Sequence, residues 1–148
     1  MWWDTEGVVH WELLPSGMTI NAEVYCSQLD RVEAALTEKR PHREKVLLLH
    51  DNATPHTAKK TKRHLQQKKW VVLPHPPYSP DIAPTDFKFF RSLQNSLRGK
   101  EFKDEDEVQL FIEGFIASKS SGFFVKGFTD LPKRWKEVIE NEGEYCLD

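Results

Sequence analysis

Hydrophobic positions along the first half of the chain change period several times. Gly7-Val8-Val9-His10-Trp11-Glu12-Leu13-Leu14 is rich in strand formers and closes on Pro15-Ser16-Gly17, which predicts a strand followed by a turn. From Asn21 onward Val24, Tyr25, Leu29, Val32, Ala35 and Leu36 recur at intervals that place them on one face of a helix, and Pro41 closes it. Val46-Leu47-Leu48-Leu49-His50 is short and continuously apolar, the pattern of a strand buried on both faces in a mostly parallel sheet. Asp51 follows at its carboxyl end.

Thr54-Pro55 predicts a helix cap followed by proline at the first helical position, with Ala58, Thr61 and Leu65 as a thin apolar stripe. Trp70-Val71-Val72-Leu73 reads as a second buried strand. The segment His75-Pro76-Pro77-Tyr78-Ser79-Pro80-Asp81-Ile82-Ala83-Pro84 is a rigid loop set by its prolines. A helix is predicted from Thr85, with Asp86, Phe90, Leu93 and Leu97 on one face and Gly99 as its stop. Because Asp86 shares that face, its carboxylate is expected to point inward over the sheet. Asp104, with Glu107 three residues on, caps a helix carrying Val108, Phe111, Ile112, Phe115 and Ile116, and a last helix is predicted around Leu131 to Ile139. No repeat or low-complexity linker interrupts the chain, so residues 1–148 read as a single α/β domain.

Composition narrows the class. At 148 residues with five tryptophans and nine phenylalanines the chain can build a real core, which argues against disorder. No apolar run approaches the roughly 18 residues of a membrane span, and the start Met1-Trp2-Trp3-Asp4 carries no charged leader, so neither a membrane nor a secreted protein is expected. Cys26 and Cys146 share no metal-ligand spacing and read as free thiols in a reducing compartment. The net charge of −2 hides segregation: residues 1–39 hold two bases and seven acids, 40–70 nine bases and two acids, 71–100 four and two, and 101–148 six and twelve. A basic block inside an otherwise acidic chain marks a local polyanion contact, or else a solvated helix face; its exposed members are Lys59, Lys60, Lys62 and Arg63.

Two carboxylates carry the candidate chemistry. Asp51 ends one predicted strand and Asp86 opens the helix reached through the next, which places both at one edge of the sheet, where open α/β sheets bind ligands. As plain structural residues, Asp51 is a turn former leading into Asn52 and Asp86 a favourable helix N-terminal acid. His50, His56 and His75 flank the same edge, but their spacing fits no compact zinc motif, and core hydrogen bonding or phosphate contact suits them better.

His50-Asp51-Asn52-Ala53-Thr54-Pro55-His56 followed by Leu73-Pro74-His75-Pro76-Pro77-Tyr78-Ser79-Pro80-Asp81-Ile82-Ala83-Pro84-Thr85-Asp86-Phe87 closely resembles the mariner transposases. Asp51 and Asp86 enclose 34 residues, the interval between that family's second and third catalytic aspartates. Trp2-Trp3-Asp4 with Gly7-Val8-Val9 resembles the family's Trp-Trp hairpin, and Leu131-Pro132-Lys133-Arg134-Trp135 with Gly143-Glu144-Tyr145 its C-terminal tail. The mariner-derived part of SET-domain/transposase fusion proteins shares the resemblance.

The resemblance implies a ribonuclease H-like (DDE transposase/integrase) α/β fold, in which three carboxylates hold two divalent ions, Mg²⁺ or Mn²⁺, that activate water and stabilise the leaving oxygen of a phosphodiester. It makes Asp51 and Asp86 catalytic and metal-binding, Lys59, Lys60, Lys62, Arg63 and His56 nucleic-acid-binding, and DNA the partner. Mariner relatives carry the first aspartate in an Asp-Glu-Lys-Trp block before the Trp-Trp hairpin, and these residues contain no such block. The chain therefore reads as N-terminally truncated, lacking the first catalytic strand and the helix-turn-helix modules that read transposon ends. Metal binding is expected to be weak or absent, strand transfer to fail, and the sheet to show an exposed edge prone to association. Asp4 is not expected to replace the missing ligand. Thr54 stands where the family motif usually has arginine, removing one cation beside the catalytic edge. Two further readings stay open: a non-catalytic module that binds DNA or pairs with itself or with a full-length transposase, and part of a longer active enzyme. Lys59-Lys60-Thr61-Lys62 also resembles a nuclear localisation patch.

Overall fold

Each strong sequence signal becomes an element in the computed structural model, which describes residues 1–146. Strands β1 (Trp2–Asp4) and β2 (Gly7–His10) form a two-stranded sheet, and the Asp4 carboxylate accepts the Glu6 N–H in the turn between them. Helix α1 (Ala22–Lys39) starts where Asn21 caps it, its side chain accepting the Val24 N–H, and its apolar stripe buries Tyr25, Leu29 and Val32. The chain then divides into two compact units, one of Trp2 and residues 9–79, the other of Met1, residues 3–8 and the chain from Pro80.

In the first unit β3 (Leu47–Leu48) pairs in parallel with β4 (Val71–Val72), Leu47 opposite Val71 and Leu48 opposite Val72. The parallel pairing is as predicted, but both strands are shorter. The predicted burial on both faces is not observed: Leu48 enters a core with Tyr25, Leu29 and Leu65, whereas Leu47 is 58% exposed and Val71 and Val72 are exposed too. Helices cover one face of this two-stranded sheet, so Leu47 and its partner Val71, on the other face, have no layer to meet within the unit, while Val72, beside Leu48 on the covered face, lines a cavity. Between the strands run α2 (Thr54–Thr57) and α3 (Lys59–Gln67). The predicted single helix is broken at Ala58, whose ψ of 143° is extended. Ala53, not Thr54, stands at the first cap, and Thr61 Oγ1 donates to Pro55 O across the break. Thr61 and Leu65 are buried as the stripe requires.

The second unit is helical and aromatic. After a 3₁₀ turn at Pro80–Ile82, inside the loop predicted to be irregular, residues Thr85–Phe90 form a π-helix that passes into α4 (Arg91–Leu97). Then come α5 (Glu105–Ala117), α6 (Ser121–Thr129) and α7 (Leu131–Glu140). Trp3 anchors the unit: its Nε1 donates to Thr85 Oγ1 at 3.0 Å and its ring lies against Phe89, Phe124 and Phe128. Gly127 lies so close that a Cβ there would stand 2.4 Å from the Trp3 ring. Both cysteines are free. Among the described residues no helix is long and apolar enough to cross a membrane.

Candidate nucleic-acid interface and carboxylate site

Asp51 stands just past β3, where the parallel strand ends and the chain turns toward α2. Its Oδ1 accepts the Ala53 N–H at 2.9 Å, the local turn that aspartate favours, and also the His56 Nδ1–H at 2.6 Å. A carboxylate only accepts, so this bond fixes the proton of His56 on Nδ1. The side chain of Asp51 is 55% exposed. Its partial burial pushes the pKa up, but the Ala53 N–H and then His56 outweigh that and hold it below the ordinary carboxylate range. Asp51 is therefore ionised at neutral pH, with Oδ2 uncommitted by any hydrogen bond among the described residues.

Behind this carboxylate lies an aromatic stack. The His50 and His56 rings are nearly parallel, 4.8 Å between centroids, and Tyr25 lies 4.2 Å from His56. Tyr25 OH and His50 Nδ1 share a hydrogen bond of 2.9 Å. Burial, then the neighbouring His56, push the His50 pKa down to about 4, so His50 is neutral at neutral pH. The sequence placed the histidines beside Asp51 but not their partners, because Tyr25 comes from α1, distant in sequence.

Helix α3 divides its charges by face. On the side toward α1, His64 and Lys68 both reach Asp30, Lys68 also reaches Glu33, and Lys60 pairs with Glu23 at 2.7 Å. Lys59, Lys62 and Arg63 are exposed and make no ion pair among the described residues. Four cations named from sequence thus separate into one engaged with α1 and three presented outward. This face is what a phosphate backbone requires, a row of flexible, solvated cations.

Asp86 belongs to the other unit. It shares a surface with Phe90, as predicted, but lines an open cavity of about 400 Å³ with Phe87, Arg91, Gln94, Asp81 and Arg134, and it is exposed rather than directed inward. The π-helical turn accounts for the difference, since its wider turn shifts the register between Asp86 and Leu93 and turns Phe89, fully buried, into the core position. Arg134 lies over the Phe87 ring at 4.2 Å and donates to Asp81 O, so the Leu131–Trp135 segment docks beside this cavity. Among the described residues no group of three His, Cys, Asp or Glu side chains gathers to hold a metal ion.

A parallel strand ending in an exposed aspartate, followed by a basic helix, fits the ribonuclease H-like DDE class of catalytic domain, and comparison with known proteins places the chain in that class. A family model described as transposase (partial DDE domain) matches residues 1–46. The Mos1 transposase catalytic domain, solved with raltegravir and Mn, superposes with a TM-score of 0.96 at 38% identity, covering 99% of this chain and 75% of that one. A second Mos1 catalytic-domain structure contains Mg, and the Mos1 paired-end complex with the left transposon end matches with the same TM-score of 0.96 at 39% identity, over 99% of this chain and 43% of that one. The chain belongs to the mariner transposase family. It is 38% identical to the mariner Mos1 transposase of Drosophila mauritiana over 98% of its length, spanning 43% of that protein. It is 36% identical to the human histone-lysine N-methyltransferase SETMAR over 98% of its length, spanning 22% of that one.

Proposed function

We propose that this chain is a portion of a mariner transposase catalytic domain that holds DNA through the outward face of α3 and contributes Asp51 and Asp86 to metal-dependent cutting and joining of DNA. On their own the 148 residues bind DNA without cutting it. The observation that carries this reading is the exposed, ionised Asp51 carboxylate at the end of β3, followed by a helix that presents Lys59, Lys62 and Arg63 to solvent.

Each carboxylate, taken by itself, has the chemistry that suits the divalent ions the Mos1 structures contain. Asp51 and Asp86 are exposed carboxylates, and oxygen ligands of this kind suit Mg²⁺ and Mn²⁺. When bound, such an ion supplies an activated water and stabilises the leaving oxygen of the phosphodiester. The chain's own part is to keep Asp51 ionised and oriented, through Ala53 N–H and His56, and to hold the DNA backbone on α3. Two carboxylates hold such ions weakly, and the third that the family resemblance implies is not among these residues.

The test is binding of a labelled duplex followed by fluorescence anisotropy over a salt series. Affinity is expected to fall steeply with salt; Lys62→Gln and Arg63→Gln are each expected to lower the log–log slope by about 1, and Asp51→Ala to leave binding intact. Salt-insensitive binding, or none, overturns the reading. The same cations serve as a nuclear targeting patch in this proposal: a reporter fused to the chain is expected in the nucleus and, with Lys59, Lys60 and Lys62 changed to Ala, spread through the cell. The exposed Leu47 and Val71, paired on one face, favour one addition, association with a second copy or a full-length transposase through the β3–β4 sheet.

A further inference from the structure

One cavity in the first unit has no role in the reading above. It has a volume of about 550 Å³, the size of ordinary small-molecule sites, and lies between α3, β4 and the segment after β4. Its walls are of two kinds. Trp70, packed on its inner side against the Tyr25, Leu29, Leu48 and Leu65 core, supplies an aromatic surface, with Leu73 and Pro74 beside it. Lys62, Gln66, Asn52 and His75 supply polar groups.

Two of those groups lack the partners that folding normally provides. His75 Nδ1 is buried and makes no hydrogen bond among the described residues, an expensive state for an imidazole nitrogen. Lys62 forms no ion pair, although its neighbours on the other face of α3 are all engaged. By contrast Asn52 Nδ2 donates to His75 O at 2.6 Å, which holds the segment carrying His75 in place. An aromatic face, a side-chain amide, an unsatisfied imidazole nitrogen and a cation at the rim together match a planar heterocycle joined to a phosphate. A base within a duplex cannot offer its face to a side chain, so the matching ligand is an unpaired one.

We propose that this cavity holds one unpaired nucleotide of a DNA strand, its base against Trp70 and hydrogen-bonded by His75 and Gln66, its phosphate on Lys62, with flanking phosphates on Lys59 and Arg63. The proposal rests on the reading of α3 as a DNA-backbone surface and adds base contact to it. Asn52, His50 and His56 join this cavity to the surroundings of Asp51, so the held nucleotide lies next to that carboxylate.

The experiment compares three labelled oligonucleotides of equal length on the intact chain by anisotropy: a single strand, the same strand made abasic throughout, and a duplex. The single strand is expected to bind about ten-fold more tightly than the abasic one. Trp70→Ala is expected to abolish that ratio, while Lys59→Gln weakens both strands equally. Because Trp70 also packs on the core, Gln66→Trp provides a second route, filling the cavity and leaving the core contacts alone; it too is expected to bring the ratio to about one. Equal binding of base-bearing and abasic strands overturns the site while leaving the cationic surface standing, and so does a ratio that survives Gln66→Trp. Loss of all salt-dependent DNA binding overturns both readings. Free dAMP is expected to compete only weakly, since it lacks flanking phosphates; dAMP binding as tightly as the strand overturns the assignment to a DNA strand.

Discussion

Glu12 draws Arg31, His10 and Gln28 together, and its role is structural. Arg31 grips it with two hydrogen bonds of 2.8 Å, and His10 and Gln28 complete its set. Arg31 first, against an opposing effect of burial, and then His10 hold its pKa down at about 2, from an ordinary 4.5. A depressed carboxylate pKa contributes stability that is complete above pH 4.5 and lost as pH falls toward 2. The shift corresponds to about 3 kcal/mol, reduced to about 2 kcal/mol by water at the exposed edge of the pair. Urea unfolding at pH 6 and pH 2.5 is expected to show the advantage of the native chain over Glu12→Gln shrinking by more than half at the lower pH. Gly127 makes a second residue-scale case. A methyl group there collides with a Trp3 ring that Thr85, Phe89, Phe124 and Phe128 already fix. Gly127→Ala is expected to destabilise the fold by about 1–3 kcal/mol, read as a lower Tm. At this scale the sequence placed Asp51 just past a strand, as observed, but misdirected Asp86, since a π-helical turn leaves no mark in an apolar periodicity.

Elements with a local cause were the ones legible in the chain. Asn21 and Asp104 each accept a backbone N–H three residues ahead, at 2.9 Å, and both helices begin where their caps place them. Glu107 completes the second start by accepting the Lys103 N–H. Asp104→Ala is expected to cost about 1 kcal/mol and to fray the first turn of α5, a loss visible as faster amide exchange there. Elements held by distant partners were not legible. Helix α6 leaves little trace in the sequence because Ser121, Gly122 and Gly127 are poor helix formers, and its stability comes from the packing of Phe124 and Phe128 on Trp3, remote in sequence. The predicted strands shrank to two residues each, because an apolar run states only that a segment avoids water, whereas ladder length depends on which neighbour is present.

Across the whole chain a small net charge conceals an α3 whose inner cations are neutralised by α1 and whose outer cations make no ion pair among the described residues. That distribution was readable as a basic block but not as a division between faces, which required the packing of α1. The sheet carries the second molecular-scale property. Leu47 and Val71 present apolar surface on one face of a sheet that has two strands among the described residues, so the chain is expected to associate as its concentration rises, and Leu47→Lys to reduce that association in light scattering. What joins the scales is the proposal that this portion of a mariner catalytic domain binds DNA through α3 without cutting it. Nicking of supercoiled plasmid in Mg²⁺ and in Mn²⁺, with Asp51→Ala alongside and both proteins shown folded by circular dichroism, tests it most directly. The account predicts DNA binding without nicking in either metal; nicking that disappears in Asp51→Ala contradicts it.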